Sequence, residues 1–440
     1  MKVFIRSWGC QMNVLDSQVL EGAFAAAGYS MAEREDDADV IVFNTCSVRA
    51  HAENKVFSHI GAVKAIKERR PEVTLVVAGC MAQRLGESLR RRYPQVDVVI
   101  GTRRIGDFVG IVEEARLKGP GVHVEDAYES YPRRDISRRT GKSQAFVSVM
   151  RGCDNYCAYC IVPYVRGAQV SRPAGEIVDE VTALTADGVK EVTLLGQNVT
   201  SYGHDRGEQG ALARLLGKLQ PIDGLEWIKF VTSHPRDTGR DIFETMRDLP
   251  KVCRYLHLPA QSGSDAVLGA MKRGYTRAEY LDKVHMLREI TGGVSLASDF
   301  IVGFPGETEG DFEDTVSIVR EVGYKNSFIF KYSPRPGTAA AKLTDDVPIV
   351  EKKRRNNALL AVQEEISIAH NRAMIGRRVR VLVDGPSKKD SNRLAGRTEG
   401  EEIVVFDGPA KLAGEFVAAE ITGASALTLF GRLADEAKRA

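Results

Sequence analysis

Short apolar runs alternate with amphipathic stretches in the first part of the chain. Four of these runs are typical of buried strands, at residues 3–5, 40–43, 74–78 and 96–100. Stretches with helical periodicity lie between them, as at 17–27 and 50–69. Strands that alternate with helices favour a doubly wound parallel sheet, whose ligand site lies at the carboxyl ends of its strands. We therefore predict an α/β domain over residues 1–120.

A second block repeats strand then helix six times. Its predicted strands lie at 145–150, 191–195, 227–232, 255–258, 295–302 and 327–332. Helical patterns occur between them at 176–186, 240–249, 277–290 and 311–322, and a further helix at 350–369 follows. Six such units predict a partial (βα)6 barrel over residues 144–370, with its chemistry at the carboxyl ends of the strands.

The last block changes character. Strand-like runs at 379–383, 403–405, 416–420 and 427–433 are separated by Gly, Asp, Asn and Pro. This pattern predicts a small antiparallel β-barrel over residues 371–434. Between the first two blocks, residues 121–143 are highly charged and poor in apolar side chains, which predicts a solvated linker. Its basic residues are Arg133, Arg134, Arg138, Arg139 and Lys142.

The composition narrows the class of protein. Hydrophobic residues make up 43% of the chain and charged residues 27%, as in ordinary globular proteins. No run of eighteen apolar residues occurs, and the first residues lack the apolar core of a signal peptide. We therefore expect a cytoplasmic protein that contacts no membrane. The 61 basic and 59 acidic residues give a net charge of +2, which by itself indicates no polyanionic partner.

Three of the seven cysteines lie within eight residues, directly after the first strand of the second block. Cys153, Cys157 and Cys160 form a CxxxCxxC pattern. Three thiolates on one loop suit three corners of a cubane iron–sulfur cluster. A structural zinc ion is the alternative, but zinc normally takes four ligands and the loop offers no fourth Cys or His.

Cys10, Cys46 and Cys80 each follow the end of a predicted strand in the first block. Carboxyl ends of parallel strands meet at one edge of a sheet, so we expect these three side chains to converge. Buried structural cysteines are common, but they lie more often inside strands than just past them. The pattern therefore favours a second metal site. Cys253 fits neither group and is interpreted as a core residue.

The cysteine loop, placed after the first strand of a (βα)-repeat block, resembles that of the radical S-adenosylmethionine (SAM) superfamily. Two cysteine triads, one in each α/β block, and a final TRAM-type barrel make nearly the whole chain similar to the radical-SAM methylthiotransferase family. The resemblance implies a [4Fe-4S] cluster on Cys153, Cys157 and Cys160 that binds SAM at its open iron. It also implies an auxiliary [4Fe-4S] cluster on Cys10, Cys46 and Cys80.

In that family the SAM bound at the first cluster is cleaved to a radical that abstracts hydrogen from the substrate. A second SAM methylates a sulfur atom on the auxiliary cluster, and the methylthio group is then transferred. The resemblance further implies an external electron donor, and we expect the protein to be a monomer.

Residues at or beyond the predicted strand ends are the candidate SAM contacts. They are Tyr159, Gln197, Asn198, Ser233, His257, Gln261 and Asp299. Each taken alone also fits a capped turn, and the segment at 194–198 lacks the acidic residue usual there in the superfamily. Arg166 and Arg236 are candidates for binding a substrate or SAM carboxylate, with a structural ion pair as the alternative.

Shorter segments indicate the substrate. The runs CIVPYVRG at 160–167, SRP at 171–173, GQNV at 196–199 and TSHPR at 232–236 resemble those of family members that modify tRNA. These convert N6-isopentenyladenosine at position 37 to its 2-methylthio derivative. An aspartate of a small-subunit ribosomal protein and threonylcarbamoyladenosine in tRNA are the alternative substrates. From a different class, a non-catalytic RNA-binding metalloprotein stays open.

The last block carries a basic stretch. Residues 371–397 hold eight basic and two acidic side chains, a local charge of about +6 that suits phosphate contacts along folded RNA. The candidate RNA contacts are Arg378, Arg380, Lys388, Lys389 and Arg393. The same residues would also fit an ordinary solvated surface.

Overall fold

The computed structural model describes residues 1–47, 50–125, 134–135 and 143–434. The first block is a six-stranded parallel sheet in the order β2-β1-β3-β4-β5-β6. Its strands are β1 (Lys2–Trp8), β2 (Ser30–Met31), β3 (Val40–Thr45), β4 (Thr74–Gly79), β5 (Val98–Ile100) and β6 (Gly121–His123). Its helices are α1 (Gln11–Ala26), α2 (Ala50–Arg69), α3 (Cys80–Leu85), α4 (Glu87–Arg92) and α5 (Phe108–Lys118).

Helices cover both faces of this sheet, as the predicted doubly wound fold requires. Every residue of β3 and β4 is buried, which is why both strands read as continuous apolar runs. One core cluster packs α2 against one face, and a second packs α1 and α5 against the other. The short outer strands β2 and β6 were not predicted, because two or three partly exposed residues leave little apolar pattern.

The second block contains six parallel strands, with a short antiparallel pair inserted after the first. The strands are β7 (Gln144–Ser148), β8 (Met150–Arg151), β9 (Val170–Ser171), β10 (Glu191–Leu195), β11 (Trp227–Phe230), β12 (Tyr255–His257), β13 (Ser295–Val302) and β14 (Asn326–Lys331). The helices are α6 (Val162–Arg166), α7 (Ala174–Ala186), α8 (Ala211–Leu219), α9 (Arg240–Asp248), α10 (Asp265–Ala270), α11 (Arg277–Thr291), α12 (Glu309–Val322) and α13 (Ile349–Arg372).

The six predicted strands are confirmed, and their ladder is interrupted once. They form two three-stranded sheets, β11-β10-β7 and β12-β13-β14. Between the two, β11 pairs with the segment before β12 through the Ile228–Val252 bridge. Because β12 has only three residues, it pairs with β13 alone.

The last block is a closed five-stranded barrel in the order β15-β16-β17-β19-β18. Its strands are β15 (Arg378–Pro386), β16 (Leu394–Arg397), β17 (Ile403–Phe406), β18 (Phe416–Ala424) and β19 (Leu429–Leu433). All pairs are antiparallel except β17 with β19, which is parallel. The sequence missed β16, a four-residue strand whose Gly396 lies so close to the Leu382 carbonyl that a Cβ would stand 2.3 Å from its oxygen.

The first domain and the barrel pack on opposite ends of the central strands. Met12 and Leu15 of α1 pack against Leu195, at the carboxyl end of β10. At the amino ends, Trp227 of β11 packs edge-on against Phe416 of the barrel, with the ring centroids 4.7 Å apart. The barrel therefore lies away from the carboxyl ends, where the candidate chemistry lies.

The predicted linker falls mostly outside the described residues, and so do Arg133, Arg138, Arg139 and Lys142. Arg134 is described and is not solvated: it is buried, with an ion pair of 3.1 Å to Glu180 of α7. Its guanidinium also donates to Gln18 of α1, so this residue ties the first domain to the second. Among the described residues, no helix is both long enough and apolar enough to cross a membrane.

Candidate active site

The first cysteine triad assembles at one edge of the first sheet. Cys10 precedes α1 directly after the β1 strand, Cys46 follows β3, and Cys80 is the first residue of α3 after β4. Since β1, β3 and β4 are neighbours in the sheet, the three thiols meet, and Cys10 and Cys46 lie within hydrogen-bonding reach. The convergence expected from strand topology is thus present in the structure. Cys46 and Cys80 are buried, and Cys10 is exposed.

Two glycines allow this close approach. Gly79 has φ +92°, and a Cβ there would stand 2.4 Å from the Thr45 carbonyl oxygen. Gly9 has φ +149°, and a Cβ there would lie 2.5 Å from the Cβ of Cys46. Side chains at either position would push the strand ends apart, so these glycines form a cradle around the thiols.

Buried amides brace the strand ends beneath the triad. The Asn13 amide donates to Asn44 Oδ1 at 3.0 Å and to the Thr45 carbonyl at 3.2 Å. Asn44 donates back to the Asn13 carbonyl at 2.9 Å and to Ser17 Oγ at 3.0 Å. Satisfied polar networks of this kind rigidify a site. No sequence pattern indicated this role for Asn13, Asn44 or Ser17.

The electrostatic environment differs between the thiols of this triad. The hydrogen bond with Cys46, together with the positive charge of Arg166, lowers the pKa of Cys10 to about 5, although partial desolvation of the thiol opposes the change. Burial raises the pKa of Cys80, although Arg166 opposes the rise. Thiolates are the form that binds iron, so an adjacent arginine favours the ligating state.

The second triad lies on the loop between β8 and α6. Its backbone is held by hydrogen bonds from Cys153 N–H to the Gly167 carbonyl at 3.1 Å and from Cys160 N–H to the Cys157 carbonyl at 2.9 Å. Gly152 has φ +74°, and a Cβ there would clash with the Ala168 carbonyl oxygen. Burial raises the pKa of Cys153 to about 11 and that of Cys160 to about 12.

Arg273 supports this loop, and no sequence pattern indicated this role. Its buried guanidinium donates to Cys157 Sγ at 3.2 Å and to the Tyr159 hydroxyl at 3.4 Å. It also donates to the Pro259 carbonyl at 3.0 Å and to the Tyr275 hydroxyl at 3.0 Å. Arg273 thus joins the cysteine loop to the segment that follows β12.

The two triads adjoin across the domain interface. Cys80 packs in one cluster with Ile161 and Val165, and Ile161 directly follows Cys160. One turn further along α6, Arg166 pairs with Asp16 of α1 at 2.8 Å. Separate domains therefore present their cysteines to a shared boundary, which the sequence alone did not reveal.

The candidate SAM contacts fall into two groups, and the first is engaged by the protein itself. Gln197 Oε1 accepts a hydrogen bond from Gly152 N–H at 2.6 Å. Asn198 donates to Asp237 at 2.6 Å and accepts from Thr200 at 2.9 Å. These contacts give Gln197 and Asn198 clear supporting roles around the loop. Arg236 likewise contacts Asn155 of the loop and pairs with Asp237.

The second group faces the carboxyl ends of the strands. His257 Nε2 lies 3.3 Å from Asp299 Oδ1, on neighbouring strands β12 and β13. Gln261 has φ +70° and its N–H donates to the Asp299 carbonyl at 2.8 Å. Ser233 is buried, and its hydroxyl oxygen has no hydrogen-bond partner within the described residues.

Burial changes the pKa values of Tyr159 and His234 in opposite directions. The Tyr159 hydroxyl accepts from Arg273, and burial raises its pKa well above the usual value. His234 Nδ1 accepts from the Arg236 N–H at 3.2 Å. Burial first, and then the charge of Arg273, lowers the pKa of His234 to about 2, so its ring is neutral.

The candidate RNA contacts do not form one basic face. Arg380 pairs with Glu226 of the second domain at 2.8 Å and stacks 3.9 Å over the Phe416 ring, so it belongs to the interface. Arg393 pairs with Asp407 at 3.1 Å. Lys388 and Lys389 are exposed after the end of β15, while Arg378 is exposed at its start. The eight residue steps of this strand span about 26 Å.

The residues present fit the implied clusters. Each triad supplies three thiols on a glycine-cradled backbone, and thiolate is the usual protein ligand to such iron. Across residues 1–47, 50–125, 134–135 and 143–434, no three His, Cys, Asp or Glu side chains are grouped to hold a single metal ion. Ligands of a cubane bind three different irons and so stand farther apart than ligands of one ion.

Family models match all three blocks. A model described as uncharacterized protein family UPF0004 matches residues 2–101, the radical SAM superfamily matches 147–319, and the TRAM domain matches 372–434. Curated relatives match over nearly the full length. The tRNA-2-methylthio-N(6)-dimethylallyladenosine synthase of Moorella thermoacetica is 44% identical over 98% of both chains. That of Syntrophotalea carbinolica is 43% identical over 95% of this chain and 96% of its own.

The chain belongs to the tRNA-2-methylthio-N(6)-dimethylallyladenosine synthase family. The resemblance drawn from the two cysteine triads and the final barrel is therefore confirmed. A third member of the family, from Clostridium botulinum strain Okra, is 44% identical over 97% of this chain and 96% of its own.

Solved structures support the same fold. The radical S-adenosylmethionine methyltransferase TsrM from Kitasatospora setae, with cobalamin and a [4Fe-4S] cluster bound, aligns with a TM-score of 0.57. It is 15% identical, and the alignment covers 77% of each chain. OxsB, a cobalamin-dependent S-adenosylmethionine radical enzyme, gives 0.53 at 11% identity over 83% of this chain and 56% of its own. At these identities the likeness concerns the fold alone.

Proposed function

We propose that the protein converts N6-isopentenyladenosine, also called N6-dimethylallyladenosine, at position 37 of tRNA to its 2-methylthio derivative. The observation that carries the proposal is the meeting of two cysteine triads at one domain boundary, with Ile161 lying between Cys160 and Cys80. A transfer that joins a sulfur centre to a radical-generating centre needs the two to be close to one substrate. The names of the full-length relatives support the same reaction.

Each triad has a defined role in this proposal. Cys10, Cys46 and Cys80 hold the auxiliary [4Fe-4S] cluster, and Cys153, Cys157 and Cys160 hold the cluster that binds SAM. With SAM bound, the latter cluster would supply the radical chemistry for removing hydrogen from carbon 2 of the adenine. The auxiliary cluster would supply the sulfur of the methylthio group, and a second SAM its methyl group. Gly9, Gly79 and Gly152 allow the close approaches of protein atoms beside these cysteines.

SAM would be held at the carboxyl ends of the strands. Ser233 and Asp299 would offer polar atoms to it, and the Ser233 hydroxyl has no hydrogen-bond partner among the described residues. His257, Gln261 and Tyr159 would complete the set of residues that hold it. Gln197 and Asn198 act by holding the loop and the β10 end in place.

The inner face of the second three-stranded sheet supports an apolar, aromatic substrate. Phe328 pairs in register with Asp299, and Phe330 lies two residues along on the same face of the edge strand β14. The Phe328 ring lies 6.4 Å from that of His257. Phe328 is 48% exposed and Phe330 38%, so both present exposed surface to an adenine base or a dimethylallyl group.

The barrel binds the tRNA backbone through Lys388 and Lys389. Both are exposed on the loop that joins β15 to β16, and no carboxylate of the described part of the chain pairs with either. Arg378 contributes from the other end of β15. Arg380 and Arg393, which pair with Glu226 and Asp407, act by fixing the barrel itself.

We also infer the remaining features of the working protein. The domains span residues 1–120, 144–370 and 371–434, with 121–143 as their linker, which the matched ranges of the three family models support. The protein works as a cytoplasmic monomer and takes electrons from an external donor.

Nucleoside mass spectrometry tests the proposal. Transfer RNA carrying N6-isopentenyladenosine is incubated anaerobically with reconstituted protein, SAM and a reductant. A new nucleoside heavier by one methylthio group, absent with Cys153→Ala and with Cys46→Ala, is the expected result. Cleavage of SAM without any product on this tRNA would overturn the substrate assignment, and tRNA with threonylcarbamoyladenosine or the ribosomal protein would be assayed next. Zinc in place of iron would overturn the enzyme assignment.

A further inference from the structure

Arg166 is a buried cation beside the auxiliary cysteine triad, although it comes from the other domain. It is the last residue of α6, the helix that follows the SAM-cluster loop. Its side chain is only 9% exposed and pairs with Asp16 of α1 at 2.8 Å. The same guanidinium reaches the Cys80 thiol by a hydrogen bond and lies close enough to Cys10 to act on its charge.

The chemistry of arginine suits this position. A guanidinium is permanently charged and carries five N–H donors in a planar fork, so it can serve a carboxylate and a sulfur at once. A buried charge is costly unless it is paired, and Asp16, itself only 5% exposed, supplies the pairing. The ion pair therefore fixes the position of the Arg166 guanidinium, and the carboxylate that balances its charge comes from α1.

The second triad has a parallel arrangement with a different balance of charge. Arg273 donates to Cys157 Sγ at 3.2 Å, and its other donors meet the Pro259 carbonyl and the Tyr275 hydroxyl, which are neutral. A buried arginine thus donates to one cysteine of each triad. Among the contacts described, only the arginine beside the auxiliary triad pairs with a carboxylate.

We propose that Arg166 and Asp16 set the reduction potential of the auxiliary cluster. The potential of an iron–sulfur cluster depends on nearby charge and on hydrogen bonds to its sulfurs. The step concerned is uptake of one electron from an external one-electron reductant, which takes the cluster from the 2+ to the 1+ state without breaking a bond. A cation and an N–H donor at Cys80 stabilise the reduced state and raise the potential, while Asp16 moderates the effect.

This inference rests on the proposed function only in requiring a cluster at Cys10, Cys46 and Cys80. The test uses full-length protein with Cys153, Cys157 and Cys160 changed to Ala, so that only the auxiliary cluster remains. After anaerobic reconstitution, iron content is measured first. The midpoint potential is then measured by reductive titration with dithionite, in which electron paramagnetic resonance detects the reduced cluster.

The variants predict shifts of opposite sign. Arg166→Met is expected to lower the midpoint potential, because it removes the charge and the donor. Asp16→Asn is expected to raise it, because the arginine charge is then unopposed, and Arg166→Lys falls between Arg166→Met and the parent. Arg172→Met is the matched control: Arg172 is similarly shielded and paired with Glu180, and should leave the potential unchanged.

The outcomes separate the two proposals. No iron bound at the intact auxiliary triad would overturn the proposed function at this site. A normal cluster whose potential is the same in Asp16→Asn, Arg166→Lys and the parent would overturn the inference and leave the function standing. If Arg166→Met does not hold a cluster, the upward shift of Asp16→Asn decides, since loss of structure alone would not raise the potential.

Discussion

Gln197 Oε1 accepts a hydrogen bond of 2.6 Å from the backbone N–H of Gly152, at the carboxyl ends of the strands of the second domain. Gly152 directly precedes Cys153, so the amide fixes the start of the cysteine loop relative to the end of β10. Gln197, which the sequence predicts as a SAM contact, therefore also supports the loop that carries the thiols.

Replacement of Gln197 by Ala should loosen this loop. The Gly152 N–H loses its acceptor, a cost of about 1–3 kcal/mol for a buried donor. We expect less iron at the SAM-cluster site after reconstitution, measured in protein with Cys10, Cys46 and Cys80 changed to Ala. Gln197→Glu keeps an acceptor oxygen and should retain the iron. Equal iron in Gln197→Ala and the parent would show that the contact does not support the loop.

The glycine cradle of the first triad predicts a contrast between two glycines of similar backbone conformation. Gly79 (φ +92°, ψ −159°) faces the Thr45 carbonyl, whereas Gly119 (φ +99°, ψ 179°) has open space around it. Gly119→Ala should cost only backbone strain, about 1–3 kcal/mol. Gly79→Ala adds a clash with the strand end. We expect it to abolish iron binding at the auxiliary triad, measured with the SAM-cluster cysteines replaced, while Gly119→Ala binds normally.

Buried charge holds the barrel to the second domain. Lys229 of β11 lies 2.8 Å from Glu191 and 2.5 Å from Glu401 of the barrel, and its side chain is 2% exposed. Lys229→Met leaves the buried Glu191 carboxylate without its cation, whereas Glu401 keeps its ion pair with Arg397 at 3.1 Å. The unpaired buried charge should destabilise the protein by about 3–5 kcal/mol. Calorimetry of thermal unfolding measures this loss of stability.

The exposed Arg432–Glu420 pair is the control for that measurement. Arg432→Met should change the stability by about 0–1 kcal/mol, because water already screens both charges. Combining Lys229→Met with Glu191→Gln should recover part of the loss, since the unpaired buried charge is then removed. A Lys229→Met protein as stable as Arg432→Met would refute the assigned role.

The aromatic side chains of β14 predict selectivity for the prenylated base. Phe328→Ala should raise the KM for tRNA bearing N6-isopentenyladenosine by roughly ten- to hundredfold, the range for a lost apolar contact. Phe430→Ala, at a comparably exposed ring on the barrel, is the control and should leave KM unchanged. Steady-state assays with both variants make the comparison, and equal KM values would place the base elsewhere.

The lysine pair of the barrel predicts a change in salt dependence. Lys388→Gln with Lys389→Gln should weaken tRNA binding and lower the slope of log K against log salt by about 2 if each lysine meets one phosphate. Lys118→Gln, which removes an exposed lysine of the first domain, should leave the slope unchanged. Filter binding at several salt concentrations measures the slopes, and identical slopes would exclude these lysines.

The sequence predicted the architecture well because the fold depends on local pattern. The strand Ser295–Val302 was predicted at its observed bounds, since its apolar run is long and clearly delimited. Convergence of Cys10, Cys46 and Cys80 followed from the rule that parallel strands end on one edge. The strand Leu394–Arg397 was missed because a glycine needed for close packing weakens its pattern.

The contacts of Arg166 and Arg273 could not be predicted. Arg166 meets Asp16, 150 residues away, and Arg273 meets Cys157, 116 residues away. Which faces of two domains pack together is not written in any local periodicity. For the same reason, Arg380 was predicted as an RNA contact within a basic stretch. In the structure it pairs with Glu226 across the interface between the barrel and the second domain.

The two triads differ in how far apart their members lie along the chain, and this sets an order of biogenesis. Cys153, Cys157 and Cys160 are neighbours in any state of the polypeptide, so their thiols need no strand pairing to come together. Cys10, Cys46 and Cys80 come together only when β1, β3 and β4 have paired. Loading of the auxiliary centre therefore has to wait for the first domain to fold.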